Sequence, residues 1–167
     1  MSTALVELAG AVAEDLRGLA RLHDRECDQD LVAALRRADF PEGLGLRLTD
    51  QRGRQAAELM GTALAELPDP VDQPTLDALS VDFAEIYLTH GARSSPYESV
   101  WIDEGGLERQ EPMFQVRAYY RRHGLVATDW GCRADDHLVL QLSFLGHLFD
   151  RVGRREDLDQ AADFMDE

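Results

Sequence analysis

Between Leu138 and Phe149 the chain places Leu138, Leu142, Leu145 and Phe149 on one helical stripe, and Leu140, Phe144 and Leu148 widen it. A helix apolar over most of its circumference has to be surrounded by other elements. This predicts a central core helix starting near Asp135 or Asp136, whose carboxylates suit the free amides and positive dipole end of a helix start. Other segments with a 3.6-residue period supply the neighbours. Leu5, Leu8, Val12, Leu16, Leu19 and Leu22 mark a helix over about 4–24. Leu31, Val32 and Leu35 mark a second, capped by Asp28 or Asp30 and ended by Pro41, Gly43 and Gly45. Residues 51–66, rich in Ala, Leu and Glu, form a third. Leu76, Leu79, Phe83, Ile86 and Tyr87 form a fourth that runs to a turn at Gly91. Pro112 opens a fifth with Met113, Val116, Tyr119 and Tyr120, which Gly124 ends. LDQAADFMDE begins a last amphipathic helix. Strand character is confined to a two- or three-residue extension at Val100 to Ile102. The expected fold is an all-α, single-domain helical bundle.

Two segments interrupt the helices. LPDPVDQP carries Pro68, Pro70 and Pro74, each lacking an amide donor, so no helix crosses it. It divides N-terminal helices (1–67) from a second group (75–167). GARSSPYESVWIDEGG, from Gly91 to Gly106, reads as a long ordered loop between two helical lobes, and long loops in compact domains are disproportionately functional.

The net charge is −15, from 32 acidic against 17 basic residues, and every basic residue is Arg. Such a surface repels phosphate backbones and anionic lipid, which argues against nucleic acid or membrane as partner and favours a cationic peptide. Cys27 and Cys132 have no CxxC spacing, which suits a reducing compartment. The first residues lack a basic stretch ahead of their apolar run, and no uncharged segment approaches the ~20 residues that cross a bilayer. A cytoplasmic location is expected, without stable membrane insertion.

The five His show no HExxH or other ligand spacing, so no metal is expected. No GxSxG elbow and no phosphate loop occur, and an alignment of Ser99 with His137 and Asp136 is the only arrangement suggesting a nucleophile. Neither catalysis nor a cofactor is expected. An aromatic loop, PYESVW, and an acidic helix start, DDH, remain in a strongly negative chain. Guanidinium pairs with carboxylates and stacks on rings such as Tyr97 and Trp101, so the two features suit an Arg-bearing apolar peptide. Equally, Asp135 and Asp136 could serve only as helix caps and the aromatics only as core.

The stretches FAEIYLTHGARSSPYESVW and DDHLVLQLSFLGHL, in that order and separation, resemble the TorD/DmsD family of redox enzyme maturation chaperones. The resemblance runs from about residue 76 to the C-terminus. It implies an all-α cytoplasmic protein, not an enzyme, that binds the twin-arginine signal peptide and apoprotein of a molybdenum-containing oxidoreductase, assists cofactor insertion and delays export. A delta-type assembly factor acting on the mature apoenzyme of a nitrate reductase-like enzyme is the alternative. By the same resemblance the peptide-binding set is Ile86, Tyr87, Pro96, Tyr97, Glu98, Ser99, Trp101, Asp135, Asp136, His137 and Gln141. Within it Asp136 is the guanidinium acceptor, His137 a hinge or hydrogen-bonding group, and the aromatics are platforms. Asp135 stands where the family usually has Pro, and Gln141 where it often has Glu. LDQAADFMDE resembles the start of a family segment that continues into further helices, which predicts exposed apolar surface near Phe144, Phe149 and Phe164, and a monomer or a domain-swapped dimer.

Overall fold

A computed structural model describes residues 3–45, 49–89, 94–127, 133–153 and 155–166, the side chains of Arg155 and Glu156 excepted. The expected turn at Gly91, and Cys132, lie outside the described residues. Eight α-helices follow one another: α1 (Thr3–Asp24), α2 (Gln29–Arg37), α3 (Gln51–Glu66), α4 (Gln73–Phe83), α5 (Glu98–Ile102), α6 (Glu111–Arg122), α7 (Leu138–Asp150) and α8 (Arg155–Asp166). A π-helical turn, Ala84–Leu88, continues α4. The all-α expectation holds, and the described residues contain no strand.

Carboxylate caps start α2, α3 and α4. Asp28, rather than Asp30, accepts from the Leu31 amide at 2.7 Å; Asp50 accepts from Gly53 at 2.6 Å and Asp72 from Thr75 at 3.0 Å. Each satisfies one of the amides that a helix start leaves without an internal partner. The proline-rich crossing is tied down by α2. Arg36 donates to the carbonyls of Leu67 (2.7 Å) and Pro68 (3.3 Å), Gln29 donates to Val71 (2.8 Å), and Val71 itself is buried.

The core has two parts, which meet at α7. Along one face α7 packs against α1. The buried residues of α1 are Ala9, Val12, Ala13, Leu16 and Ala20, while Leu8 is exposed. The seam is therefore rotated from the expected leucine stripe toward alanines. Close approach is the reason: a Cβ on Gly146 would sit 3.4 Å from the Ala13 carbonyl oxygen and 3.8 Å from the Leu16 Cβ. Gly146→Leu should lower unfolding free energy by about 1–3 kcal/mol through overpacking. Gly146→Ala should hold or raise it, since one methyl fits and alanine gains about 1 kcal/mol in helix propensity. Urea unfolding of both variants checks this.

On the other face Val116 and Tyr120 of α6, Phe144 and Leu148 of α7, and Ala161 and Phe164 of α8 form one buried cluster. Phe144 lies 4.8 Å from both the Tyr120 and Phe164 rings. This corrects the expectation of exposed apolar surface around Phe144 and Phe164. The last helix folds back and covers them, and Phe149 is half-buried.

Two local expectations also change. Val100 to Ile102 are helical, not extended, and lie in α5 within the segment read as a loop. The acids expected to cap the core helix do not do so. Its N-cap is His137, whose Nδ1 accepts from the Val139 amide at 3.1 Å.

Candidate functional site: a latch between two loops

A five-residue helix is far too short to hold itself together, since nucleation costs more than one turn returns. α5 persists because the chain just ahead of α7 caps it. The carboxylate of Asp136 accepts from the Ser99 amide at 2.8 Å and from the Ser99 hydroxyl through the same oxygen, Oδ2. The Glu98 amide donates to the Asp136 carbonyl at 3.2 Å. Alongside, Tyr97 and His137 form an antiparallel bridge, and the Leu138 amide donates to the Pro96 carbonyl at 2.7 Å. Their rings meet edge to face with centroids 5.0 Å apart. Gln141, one turn into α7, donates to Glu98 at 2.5 Å.

PYES and DDH thus interlock, and most of the lock is dry. Asp136 and Ser99 are 0% exposed, Asp135 3% and His137 5%. Asp135 is held by Arg117 of α6, whose Nη2 and Nε donate to it at 2.6 and 3.0 Å, while the Tyr120 hydroxyl donates to the Asp135 carbonyl at 2.9 Å. Burial and the nearby Asp135 and Asp136 carboxylates push the Tyr120 phenol far above its ordinary pKa, so it remains a donor. Just upstream, Arg133 pairs with Asp24 at the end of α1 at 2.7 Å. Arg117 and Tyr120 were not among the residues expected at the site. A signal for Arg117 existed: with Met113, Val116 and Tyr120 it falls on the buried stripe of α6, where an arginine implies an internal acid.

The sequence-predicted set divides into three. Pro96, Ser99, Asp135, Asp136 and His137 are the inner latch. Asp136, expected to meet a guanidinium from outside, is instead turned inward as the cap of α5. Tyr97, Glu98 and Gln141 are half-buried, and Trp101 is 65% exposed with its indole N–H fixed by the Ser95 carbonyl at 2.8 Å. Ile86 and Tyr87 lie elsewhere, in the π-helical turn, where the Tyr87 hydroxyl and His23 Nδ1 of α1 share a hydrogen bond and the Tyr87 ring lies tilted against Phe83 with centroids 4.6 Å apart. The Ser99 hydroxyl is bonded to a carboxylate and is inaccessible, so it is not placed to act as a nucleophile. Among the described residues no His, Cys, Asp and Glu cluster could hold a metal; His90 lies outside them.

Burial lowers the pKa of His23. The folded state therefore binds this proton less readily than the unfolded chain, and stability rises with pH through the region just below 6.5. Acidification through that region should lower the melting temperature, an effect His147 shares because its pKa is also lowered, chiefly by desolvation. His23→Gln should flatten part of the profile, as read by thermal melts between neutral and mildly acidic pH.

No helix among the described residues is long and apolar enough to cross a membrane. Comparison with known proteins connects this latch to a family. The chain matches the family model described as nitrate reductase delta subunit over residues 54–167, which includes both halves of the latch. Among curated proteins it is 29% identical over 131 residues to the chaperone protein TorD of Vibrio cholerae serotype O1 (strain M66-2), covering 78% of this chain and 58% of that one. It is 33% identical over 81 residues to the TorD of Vibrio vulnificus (strain YJ016), covering 47% and 37%. With the TorD of Vibrio parahaemolyticus serotype O3:K6 it shares 29% over 118 residues, covering 70% and 53%. The chain thus spans about half the length of the curated relatives it matches, and those relatives are named as chaperones, a non-enzymatic role. No solved structure matches it. On the family match over more than half its length, the chain belongs to the nitrate reductase delta subunit family, that of the TorD/DmsD-type chaperones.

Proposed function

We propose that this protein is a cytoplasmic maturation chaperone that binds the twin-arginine signal peptide and folding intermediate of an exported molybdenum-containing oxidoreductase, assisting cofactor insertion and delaying export. The observation that carries the reading is the latch itself. It fixes α5 rigidly while presenting Trp101 to solvent with its indole already oriented, beside exposed Ile102. An aromatic held in place before binding loses little entropy when a partner covers it, which is the character of an interaction hot spot. Exposed Leu107 and Phe114 add apolar area in the same stretch of chain, and the net charge of −15 favours a cationic segment over an anionic one.

Calorimetric titration with a synthetic twin-arginine signal peptide tests this. Saturable binding that weakens when Trp101 becomes Ala is the expected result; a folded protein that binds no such peptide from any candidate client overturns it. A second reading has the family description in its favour: an assembly factor that stays on the mature apoenzyme, as a delta-type subunit would. Undiminished binding to client apoprotein lacking its signal segment would favour it.

A further inference from the structure

We propose that the outer face of α3 is a two-fold interface through which two copies of this chain associate. α3 buries only Gly53, and its other shielded residues, Ala57, Gly61 and Leu64, share that side of the helix. There it meets the chain at and beyond the end of α2: Arg36 donates to the Leu64 carbonyl at 3.4 Å, and a Cβ on Gly61 would lie 3.6 Å from Pro41. At about 100° per residue the opposite side is centred on Leu59, which is 71% exposed. The solvated face of a helix normally carries its charges. Here the exposed residues nearest Leu59, namely Gln55, Ala56, Thr62 and Ala63, carry none, although 29% of the chain is charged. Charge returns on this face only at its ends, with exposed Arg52 one turn before Gln55 and Ala56 and exposed Glu66 one turn after Thr62 and Ala63.

That arrangement is complementary to itself when antiparallel. A two-fold axis at Leu59 sets Leu59 against its own copy, Ala56 against Thr62, Gln55 against Ala63, and Arg52 against Glu66 of the second copy, because each pair is equally spaced about Leu59. The symmetry makes the Arg–Glu pair twice, whereas a parallel pairing would set like charges together. A uniformly cationic helix would be repelled at Arg52 and a uniformly anionic one at Glu66, so a second copy is the occupant that suits both ends. Each chain carries −15, so an arbitrary contact between copies is repulsive, and this face offers an uncharged centre with attraction at both ends. From Arg52 to Glu66 the helix runs about 21 Å at ~1.5 Å per residue. One such helix pair is an interface of the weak, transient size, under about 1,200 Å² in total, so the dimer is reversible and concentration-dependent.

Sedimentation velocity on the full chain, from low to high micromolar concentration, tests this. The native protein should show a reversible monomer–dimer equilibrium. Leu59→Asp, which the axis places beside its own copy, should weaken the dimer about tenfold or more, since like charges would then face each other. Arg52→Glu and Glu66→Arg should each weaken it alone, and an equimolar mixture of these two variants should restore association, because their charges complement only across the two chains. All three positions are exposed, so the thermal melts of the variants should match that of the native protein. A native chain that stays monomeric throughout overturns the proposal. So does a dimer that survives Leu59→Asp, the outcome expected of exchanged elements or of another face, and so does a mixture that associates no better than its separate components.

Discussion

Asp136→Ala should lower the free energy of unfolding by about 3 kcal/mol, because it removes two hydrogen bonds to a charged acceptor at about 1.5–3 kcal/mol each and relieves the cost of keeping a carboxylate dry. The relief is real: the second oxygen of Asp136, Oδ1, is buried without a hydrogen-bond partner among the described residues. The damage should also be local. With its cap gone, α5 has no means of forming by itself, so the Glu98–Ile102 amides should lose hydrogen-exchange protection well before α7 does. Ser99→Ala is the gentler counterpart, since it keeps the amide donor and loses only the hydroxyl. The double variant should cost less than the sum of the singles, as expected for partners in one network. If Asp136→Ala unfolds at the native urea midpoint, the latch does not hold the site.

Phe144→Ala should cost about 3–5 kcal/mol, the range for emptying a large aromatic position in a packed core. Phe144 is 3% exposed and is ringed by Tyr120, His123 and Phe164, with centroids 4.8, 5.3 and 4.8 Å away. Its loss takes away the surface on which α8 rests. Alongside the fall in the urea midpoint, limited proteolysis should therefore cut first between Asp150 and α8. Phe149→Ala, at a half-buried position on the same helix, should cost clearly less. Equal losses from the two variants would mean that α8 does not cover α7 in solution.

Leu138, Leu142, Leu145 and Phe149 on one stripe, with Phe144 and Leu148 beside it, made α7 readable as the core helix from its residues alone. The periods of α1, α4 and α6 were readable in the same way, and the three prolines after Leu67 marked where helices had to stop. PYESVW, in the segment read as a long loop, and DDH, at a helix start, stood out for their aromatic and acidic chemistry, and the resemblance to the TorD/DmsD family paired them. Ile86 and Tyr87 were harder to place, since their apolar spacing is equally consistent with packing beside the latch and with packing against His23. Arg117 carries little signal in the sequence because arginine on a helix usually points to water.

By itself the sequence determined the all-α class, the stretches that become helices, and the two motifs that meet. Periodicity reports which face of a segment is apolar, and residue type reports which groups need a partner. Only the tertiary structure decided which partners they found. Asp136 caps α5 across a gap of 37 residues in sequence, instead of the helix it immediately precedes. Ala9, Ala13 and Ala20 join Val12 and Leu16 on the buried face of α1, where Gly146 lets α7 come close. A carboxylate satisfies whichever amides reach it first within about 3 Å, and that distance is set by how the helices pack, which no local pattern encodes.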